Sequence, residues 1–353
     1  MADLKPLLRS QVPAALAALA TAAGQPAYRG VQLRDWVHAH GALDWERMTN
    51  LPKAWRGELA ATWDLSALAP LERQLSADGT RKFLFSLRDG LTVESVIIPM
   101  ARHATFCVSS QVGCAMACRF CATARGGLVR NLEPGEILEQ VQRLAADLAA
   151  APLPGHGDRA FNVVFMGMGE PLDTWDTVAA ALRIMADPDG LGMSRRRIQI
   201  STSGPRAGLE RLIADAPGVG LTVSLGGADD ESRRRLMPVP GRTSVAEVLD
   251  LAEQYARLNG RRVTIAWVLI AGSTDQPEQA RALKRLLSNR PFKVNLIPMN
   301  PLHDADLDRP AGDRTLAFQQ VLTAAGIDAF IRESGGRDID AACGQLRRRR
   351  LGV

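Results

Sequence analysis

From about residue 100 almost to its end, the chain alternates short apolar runs with longer amphipathic stretches. Stretches such as GEILEQVQRLAADLAA and SVAEVLDLAEQYARL have the apolar periodicity of helices. The short runs, typical of buried strands, are ATFCVSS, FNVVFMG, RIQISTS, GLTVSLG, RVTIAWVLI, FKVNLIP and IDAFIRE. Buried strands separated by helices predict parallel pairing, and about six such units predict an α/β fold with a partial (β/α)6 barrel. A doubly wound sheet is the alternative that this pattern allows.

Two shorter segments precede this region and differ from it in pattern. Residues 1–66 have apolar positions at helical spacing with breaks at Gly24 and Gly41, which predicts a small helical domain. Residues 67–100 contain the alternating runs KFLFSL and LTVESVIIP, joined by Asp89–Gly90 as a hairpin turn. We therefore expect a helical domain at 1–66, a β-rich connector at 67–100 and the barrel at 101–353.

The composition excludes several classes of protein. A chain of 353 residues that is 46% hydrophobic and 23% charged is long enough for one large core and an accessory domain. The start, MADLKPLLRSQ, lacks a sustained apolar run, and the alanine-rich stretch at 14–23 is too short to span a bilayer. Five cysteines, three of them within eight residues, do not resemble a secreted disulfide framework. We expect a cytoplasmic protein without a membrane segment.

The charge is mildly basic, with a formal value of +5 and a pI near 9.2. Arginines cluster at 195–197, 233–235 and 347–350. A single run of this kind is typical of a solvated face or a helix end. The three runs together favour a polyanionic partner such as a nucleic acid.

The segment GCAMACRFCATARGG follows the first strand of the barrel region and carries the decisive chemistry. Cys114, Cys118 and Cys121 form a C-x3-C-x2-C pattern. Three thiolates leave one iron of a four-iron cluster open to a substrate, whereas closed structural sites use four ligands. A zinc site is the alternative, but it needs a fourth ligand nearby, and the remaining cysteines stand at positions 107 and 343.

Longer strings extend this pattern over nearly the whole chain. With Phe120 before the third cysteine, the motif resembles the signature of radical S-adenosylmethionine (SAM) enzymes. The strings CVSSQVGCAMACRFCAT, NVVFMGMGEPL, RRIQISTSG, LMPVPGR, KVNLIPMNP and DIDAACGQL, together with PAYRGVQLRDWVH, closely resemble the RlmN/Cfr family of RNA adenine methyltransferases. The resemblance implies a 4Fe-4S cluster held by Cys114, Cys118 and Cys121, with SAM bound at its open iron.

The resemblance also implies which residues contact SAM. They are Phe120, Gly169, Glu170, Ser201, Ser224, Leu225, Gly226 and Asn300. Most follow candidate strands, where a barrel of this kind collects its ligands. Taken alone, Ser201 or Ser224 is more typical of a turn or a helix cap.

Three further residues match the reaction residues of the family. The resemblance implies that Cys343 takes a methyl group from one SAM and that a second SAM supplies the radical that activates this methyl group. The carbon then adds to adenine, Glu94 accepts a proton, and Cys107 releases the product by forming a disulfide with Cys343. Without the resemblance, Glu94 is equally well explained as an outward-facing strand residue.

One string departs from the family pattern. Where the family reads SLHAP, this chain has SLGGA at 224–228, so Gly226 replaces a histidine. The change removes a hydrogen-bond donor and acceptor near the SAM site, which affects the identity of the substrate more than the type of reaction. The chain is therefore also consistent with a divergent paralogue of the family.

For partners, the resemblance implies 23S ribosomal RNA with transfer RNA as an open second substrate, an electron donor such as flavodoxin or ferredoxin, and a monomer. By analogy, Tyr28, Arg29, Arg34 and Trp36 form an RNA platform on the helical domain, although an ordinary amphipathic bundle explains the same residues. Carbon 2 of adenine is the expected target. Carbon 8, another substrate, and a non-enzymatic RNA-binding protein with a structural metal site are the alternatives.

Overall fold

The computed structural model describes residues 4–153, 161–238, 243–302 and 306–346. Its helices within these ranges are α1 Pro13–Ala22, α2 Ala27–Arg34, α3 Lys53–Thr62, α4 Ala122–Arg125, α5 Pro134–Ala150, α6 Trp175–Ala186, α7 Arg206–Asp215, α8 Asp230–Leu236, α9 Val245–Asn259, α10 Pro277–Leu287 and α11 Gly312–Thr323. Its strands are β1 Leu68–Leu75, β2 Arg81–Leu87, β3 Thr92–Pro99, β4 Ala104–Cys107, β5 Gln111–Gly113, β6 Leu128–Asn131, β7 Phe161–Phe165, β8 Ile198–Thr202, β9 Gly220–Ser224, β10 Val263–Leu269, β11 Phe292–Pro298 and β12 Ala329–Ile331.

The main sheet has the order β1-β2-β3-β4-β7-β8-β9-β10-β11-β12. From β4 onward each strand pairs in parallel with the next strand of this order. A doubly wound sheet reverses its strand order at a switch point, but this order never reverses, so the partial barrel is confirmed. All seven sequence-predicted strands of the barrel region are present, while α6, α8 and the β5–β6 hairpin were not predicted.

The β-rich connector is a continuation of the same sheet. Strands β1 to β4 pair antiparallel in chain order, and the β2–β3 hairpin turns at Asp89–Gly90 as predicted. The helical segment before it has its own apolar core, which includes Leu16, Leu33 and Trp55. The predicted domain boundaries at residues 66 and 100 stay a prediction. The strands of the connector and those of the barrel belong to one sheet, so the sheet itself does not mark a boundary at residue 100.

In β11 alternate residues are buried and half-buried. The buried side chains, such as Val294 and Leu296, belong to the main apolar core, while Asn295 and Ile297 line the interior of the barrel. This period of two leaves polar positions free to face a ligand. Among the described residues, no helix combines the length and hydropathy needed to cross a membrane.

A buried ion pair joins the helical segment to the barrel. The Arg9 guanidinium lies 3.6 Å from the Glu139 carboxylate on α5, and both side chains are fully buried. Arg9 donates to the carbonyl oxygens of Val37 and Ala42, whereas Glu139 accepts from the Ala67 backbone amide at 2.5 Å. Burying two charges is costly unless both are paired and hydrogen-bonded, so the pair fixes how the two parts meet.

Replacing Glu139 by glutamine leaves the buried Arg9 charge without its partner. We expect Glu139→Gln to lower the free energy of unfolding by about 3 kcal/mol, measured by urea denaturation. The control is Glu210→Gln, which breaks the exposed Arg206–Glu210 pair on α7 and should cost far less stability because solvent screens both charges. Equal losses in the two variants would show that the Arg9–Glu139 pair does not hold the two parts together.

Candidate cluster and cofactor site

The carboxyl ends of the parallel strands surround a cavity of about 390 Å³. All five cysteines of the chain line it, although they are spread from position 107 to position 343. Of the residues predicted to contact SAM, six also line it: Phe120, Gly169, Glu170, Ser201, Ser224 and Asn300. Because parallel strands end at one edge of a sheet, residues distant in the sequence meet there.

The loop with the C-x3-C-x2-C motif runs from β5 to α4. Its start is held by a hydrogen bond from the Cys114 amide to the Gly127 carbonyl oxygen at 2.9 Å, and its end by one from the Cys121 amide to the Cys118 carbonyl oxygen at 3.1 Å. Ala117, between the first two cysteines, adopts a positive φ of 51°. These backbone contacts turn the loop so that the three thiols face the same cavity.

Burial makes the charged thiolate form of these cysteines costly. Burial raises the pKa of Cys114 to about 12 and raises that of Cys118 well above its ordinary value, and neighbouring cysteines add to both shifts. Thiols are the stable form there unless a cation compensates for the buried negative charge, and cluster iron provides that compensation. The donor set therefore fits an iron-sulfur cluster.

Within the described ranges, no three His, Cys, Asp or Glu side chains are grouped closely enough to hold a single metal ion.

A buried arginine that the sequence did not single out lies beside the cysteines. Arg233 of α8 donates to the carbonyl oxygens of Ser224 at 3.0 Å and Leu225 at 2.6 Å, and also to that of Ser203. Its charge interacts favourably with Cys118. In the sequence it belongs to an arginine run predicted to lie on a solvated face or at a helix end. The run forms the last turn of α8, where Arg234 and Arg235 are exposed but Arg233 is buried.

Glu170 is fixed by donors at the strand ends. Its carboxylate accepts from the Thr202 hydroxyl and the Ser203 amide, both at 2.7 Å, and from the Leu172 amide at 3.0 Å. Burial raises the pKa of Glu170, while these donors oppose the shift. The side chain thus joins the ends of β7 and β8 at the cavity wall.

Asn300 is the clearest candidate for contact with a ligand. Its amide nitrogen donates to the Ser334 hydroxyl at 2.9 Å and to the Cys343 carbonyl oxygen at 3.2 Å. Its amide oxygen is buried without a hydrogen-bond partner. An unpartnered buried acceptor costs about 1–3 kcal/mol, so this oxygen is suited to a ligand donor such as the SAM ammonium.

Leu225 and Gly226, also predicted to contact SAM, do not line the cavity. Leu225 is fully buried in the main core. Gly226 has a φ of +72°, and a Cβ atom there would lie 2.4 Å from the Met237 sulfur. The position at which the family has histidine is therefore closed by the Met237 side chain.

Cys343 and Cys107 both line the cavity, and the nearby Cys343 adds to the rise in the pKa of Cys107 that burial causes. Cys343 as a residue is exposed to solvent. Protein atoms nevertheless surround its thiol, and the resulting desolvation raises the pKa of that thiol. Burial also raises the pKa of Cys107 strongly. Glu94 lies outside the lining, buried on β3, with the Lys82 ammonium 3.7 Å away.

Comparison with known proteins agrees with this geometry. The profile of the Radical SAM superfamily matches residues 108–283, and that of the Ribosomal RNA large subunit methyltransferase N-terminal domain matches residues 8–64. Probable dual-specificity RNA methyltransferase RlmN of Moorella thermoacetica is 44% identical over 96% of each chain. The corresponding protein of Symbiobacterium thermophilum is 44% identical over 92% of this chain and 87% of its own. This chain belongs to the RlmN family.

A solved structure supports the same assignment. The crystal structure of a radical SAM methyltransferase from Sphaerobacter thermophilus matches with a TM-score of 0.92 and 40% identity, over 97% of this chain and 99% of that one. As an RlmN-family member, the protein is a radical SAM RNA methyltransferase that uses a 4Fe-4S cluster and two molecules of SAM per turnover. The interpretation as a non-enzymatic binding protein is therefore wrong.

The three cysteines of the motif are expected to hold the cluster of this RlmN-family enzyme. Anaerobically reconstituted wild-type protein should contain about four iron atoms per chain, whereas Cys114→Ala should contain little iron. Iron analysis and electron paramagnetic resonance measure this difference. The control is Cys343→Ala, which lines the same cavity and should keep its iron. A Cys114→Ala protein with full iron content would refute the assignment.

The closed position at Gly226 gives a test of packing. Gly226→Ala should lower the free energy of unfolding by about 1–2 kcal/mol for the positive φ and by about 1–3 kcal/mol more for overlap with Met237. The control is Gly24→Ala, with a φ of +64° and no atom within 4 Å of the added Cβ. Urea denaturation should show the larger loss for Gly226→Ala, and the loss caused by Gly226→Ala should be smaller in a Met237→Ala background than in the wild-type background. Equal losses at both glycines would contradict this account.

Proposed function

We propose that this enzyme methylates carbon 2 of an adenine in RNA through an S-methylcysteine on Cys343. The supporting observation is the convergence of all five cysteines on one cavity. Three of them follow the cluster motif, which leaves Cys343 and Cys107 free for covalent chemistry. An adenine ring carbon is a poor nucleophile, so the methyl group must be carried and activated by the protein.

The RNA substrate is proposed from the relatives. Their names describe dual-specificity RNA methyltransferases, and the N-terminal domain matches one of ribosomal RNA methyltransferases. We propose 23S ribosomal RNA as the substrate, with transfer RNA as a second. A buried cavity requires the adenine to be unstacked, which loop or single-stranded RNA permits at the lowest cost.

Cys343 is proposed to carry the methyl group. Its thiolate attacks the methyl carbon of SAM, so that a sulfur–carbon bond forms at Cys343 while the sulfonium–carbon bond of SAM breaks. The raised pKa of the thiol opposes ionisation, and the positive sulfonium placed beside it favours the thiolate. Asn300, which donates to the Cys343 carbonyl oxygen, keeps this segment at the cavity wall.

When bound, the cluster would supply the electron that splits a second SAM into methionine and a 5′-deoxyadenosyl radical, and it would accept the electron released later in the reaction. Cys343 presents its methyl group in the cavity, where the 5′-deoxyadenosyl radical takes one hydrogen atom and leaves a carbon radical that adds to adenine. One electron would then return to the cluster and the ring proton would pass to Glu94, which restores the aromatic base bonded to Cys343. Ser201, Ser224, Glu170 and Asn300 are proposed to hold SAM, since they line the cavity at the strand ends.

Glu94 and Cys107 are proposed to complete the reaction. Glu94 accepts the ring proton, as a buried carboxylate can do. The Cys107 thiolate attacks the Cys343 sulfur, a sulfur–sulfur bond forms, and the carbon–sulfur electron pair takes up a proton to become the new methyl group. An external reductant must then restore both thiols.

Of the four residues predicted to form an RNA platform on the helical segment, we retain two as proposed RNA contacts. Tyr28 is exposed, and the Arg29 guanidinium lies 4.9 Å from its ring centre, an arrangement that can stack on a base. Trp36 packs against the local core and donates to Asn50 at 2.6 Å, while Arg34 pairs with Asp35 and Asp189. We therefore propose Tyr28 and Arg29 as RNA contacts and assign Arg34 and Trp36 to packing.

Several properties stay predictions from the family resemblance. They are a flavodoxin or ferredoxin as electron donor, a monomeric state, a cytoplasmic location and a transient Cys107–Cys343 disulfide. The arginines at 347–350, which were interpreted as part of a basic surface, lie outside the described residues.

Removal of Cys107 should stop the reaction at the covalent stage. We expect Cys107→Ala to accumulate RNA bonded to Cys343, because nothing then displaces the Cys343 sulfur. Gel shift of denatured protein and peptide mass spectrometry measure the adduct. The double variant Cys107→Ala/Cys343→Ala should form none. An active cluster without adduct in Cys107→Ala would refute the proposed route.

The position of methylation is testable in RNA from cells. Nucleoside mass spectrometry of ribosomal and transfer RNA from a deletion strain should show loss of 2-methyladenosine, and the wild-type gene should restore it. Loss of 8-methyladenosine instead would identify carbon 8 as the target. Unchanged methyladenosine in both RNA classes would point to another substrate.

A further inference from the structure

Four side chains near the proposed reaction residues share one face of the main sheet. Val96 of β3 pairs with Lys82 of β2 on one side and with Cys107 of β4 on the other. Directly paired residues project to the same face, and alternate residues of one strand do so too. Lys82, Glu94, Val96 and Cys107 therefore project together, although they belong to three strands.

Lys82 connects this face to the segment that carries Cys343. Its ammonium lies 3.7 Å from the Glu94 carboxylate and donates to the Asp340 carbonyl oxygen at 3.3 Å. The Lys82 and Glu94 side chains are each only 8% exposed. Lysine is rarely buried to this degree without partners, since its charge loses hydration. The Lys82 ammonium is therefore stabilised only when the loop lies close enough to the sheet for Lys82 to contact Glu94 and the Asp340 carbonyl oxygen at the same time.

The segment at 334–344 needs such a contact because it has little regular structure of its own. Beyond β12 it contains only a short 3₁₀ turn at Arg337–Ile339, and Asp340 adopts a positive φ of 50°. Without strand hydrogen bonds, its position depends on contacts with its neighbours.

Other contacts hold the two ends of this segment. Near its start, Asp338 accepts from the Ser76 hydroxyl at 2.5 Å, and the Gly336 amide donates to Asp78 at 2.8 Å, so the β1–β2 turn holds that end. Near its finish, the Gly344 carbonyl oxygen accepts from the Ala122 amide at 2.6 Å, next to the cysteine loop. Lys82 contacts the part between these ends, three residues before Cys343.

We infer that Lys82 is a positioning residue that holds the Cys343 segment against the sheet face bearing Glu94 and Cys107. The inference rests on the proposed function, in which the RNA adduct on Cys343 must meet both of these residues in turn. Displacement of reacting atoms by about 1 Å can slow a step by about a hundredfold. Lys82 therefore acts on the steps in which the adduct on Cys343 meets Glu94 and Cys107, and not on the binding of RNA or of iron.

The test compares Lys82→Met with wild type by hydrogen–deuterium exchange of the peptide covering 334–346. We expect faster exchange of this peptide in the variant. In single-turnover reactions with RNA, the adduct should persist about 10–100 times longer than in wild type, with kcat lowered and KM for RNA little changed. Lys82→Arg keeps a charged donor and should recover most of both properties.

Arg81→Met is the matched control. Arg81 is adjacent on β2, projects to the other face and donates to Asp147 at 2.8 Å and to the Ala151 carbonyl oxygen at 2.6 Å. Its replacement also removes a buried ion pair, yet it should leave exchange at 334–346 unchanged. Equal effects of the two variants on this peptide would overturn the inference, because they would reflect general destabilisation.

The outcomes separate this inference from the proposed function. Wild-type exchange at 334–346 together with wild-type release of the adduct in Lys82→Met would overturn the role of Lys82 alone. Absence of any adduct in Cys107→Ala would overturn the proposed function, while the exchange measurement would still report whether Lys82 holds the segment. If Lys82→Met fails to fold, Lys82→Gln removes the charge in its place and is judged by the same two measurements.

Discussion

The parallel pairing from β4 to β12 is the constraint on which the rest of the structure depends. Parallel strands all end at one edge, so the residues that follow them meet there regardless of their distance in the sequence. Cys107 ends the first parallel strand and Cys343 follows the last, yet both line one cavity. The three cysteines of the motif enter the same cavity from a loop between them.

Buried charges stabilise this arrangement at points where apolar packing cannot specify a position. Glu170 ties the ends of β7 and β8, while Arg233 binds carbonyl oxygens at the ends of β8 and β9. The Arg9–Glu139 pair does the same between the helical segment and α5. Such groups are expensive to bury, and their hydrogen bonds are satisfied only in one relative placement of the elements.

The same burial explains how the cavity treats its thiols. Desolvation raises the pKa of Cys107, Cys114, Cys118 and Cys343. The motif cysteines, Cys114 and Cys118 among them, are expected to bind iron, whose charge stabilises their thiolates. For Cys343, the cationic sulfonium of SAM is the corresponding source of positive charge in the methyl transfer that we propose.

The sequence by itself determined the parallel α/β barrel, the helical start, the β2–β3 hairpin and the cysteine motif, because each has a local signature of period, turn or spacing. It could not determine that Arg233 is buried beside Cys118, that Met237 closes the space at Gly226, or that Lys82 reaches Asp340. Nothing in the sequence next to these residues indicates which side chains they contact in the folded protein. Only the tertiary structure decided them, since the burial and pairing of a charge depend on which strands and loops pack around it.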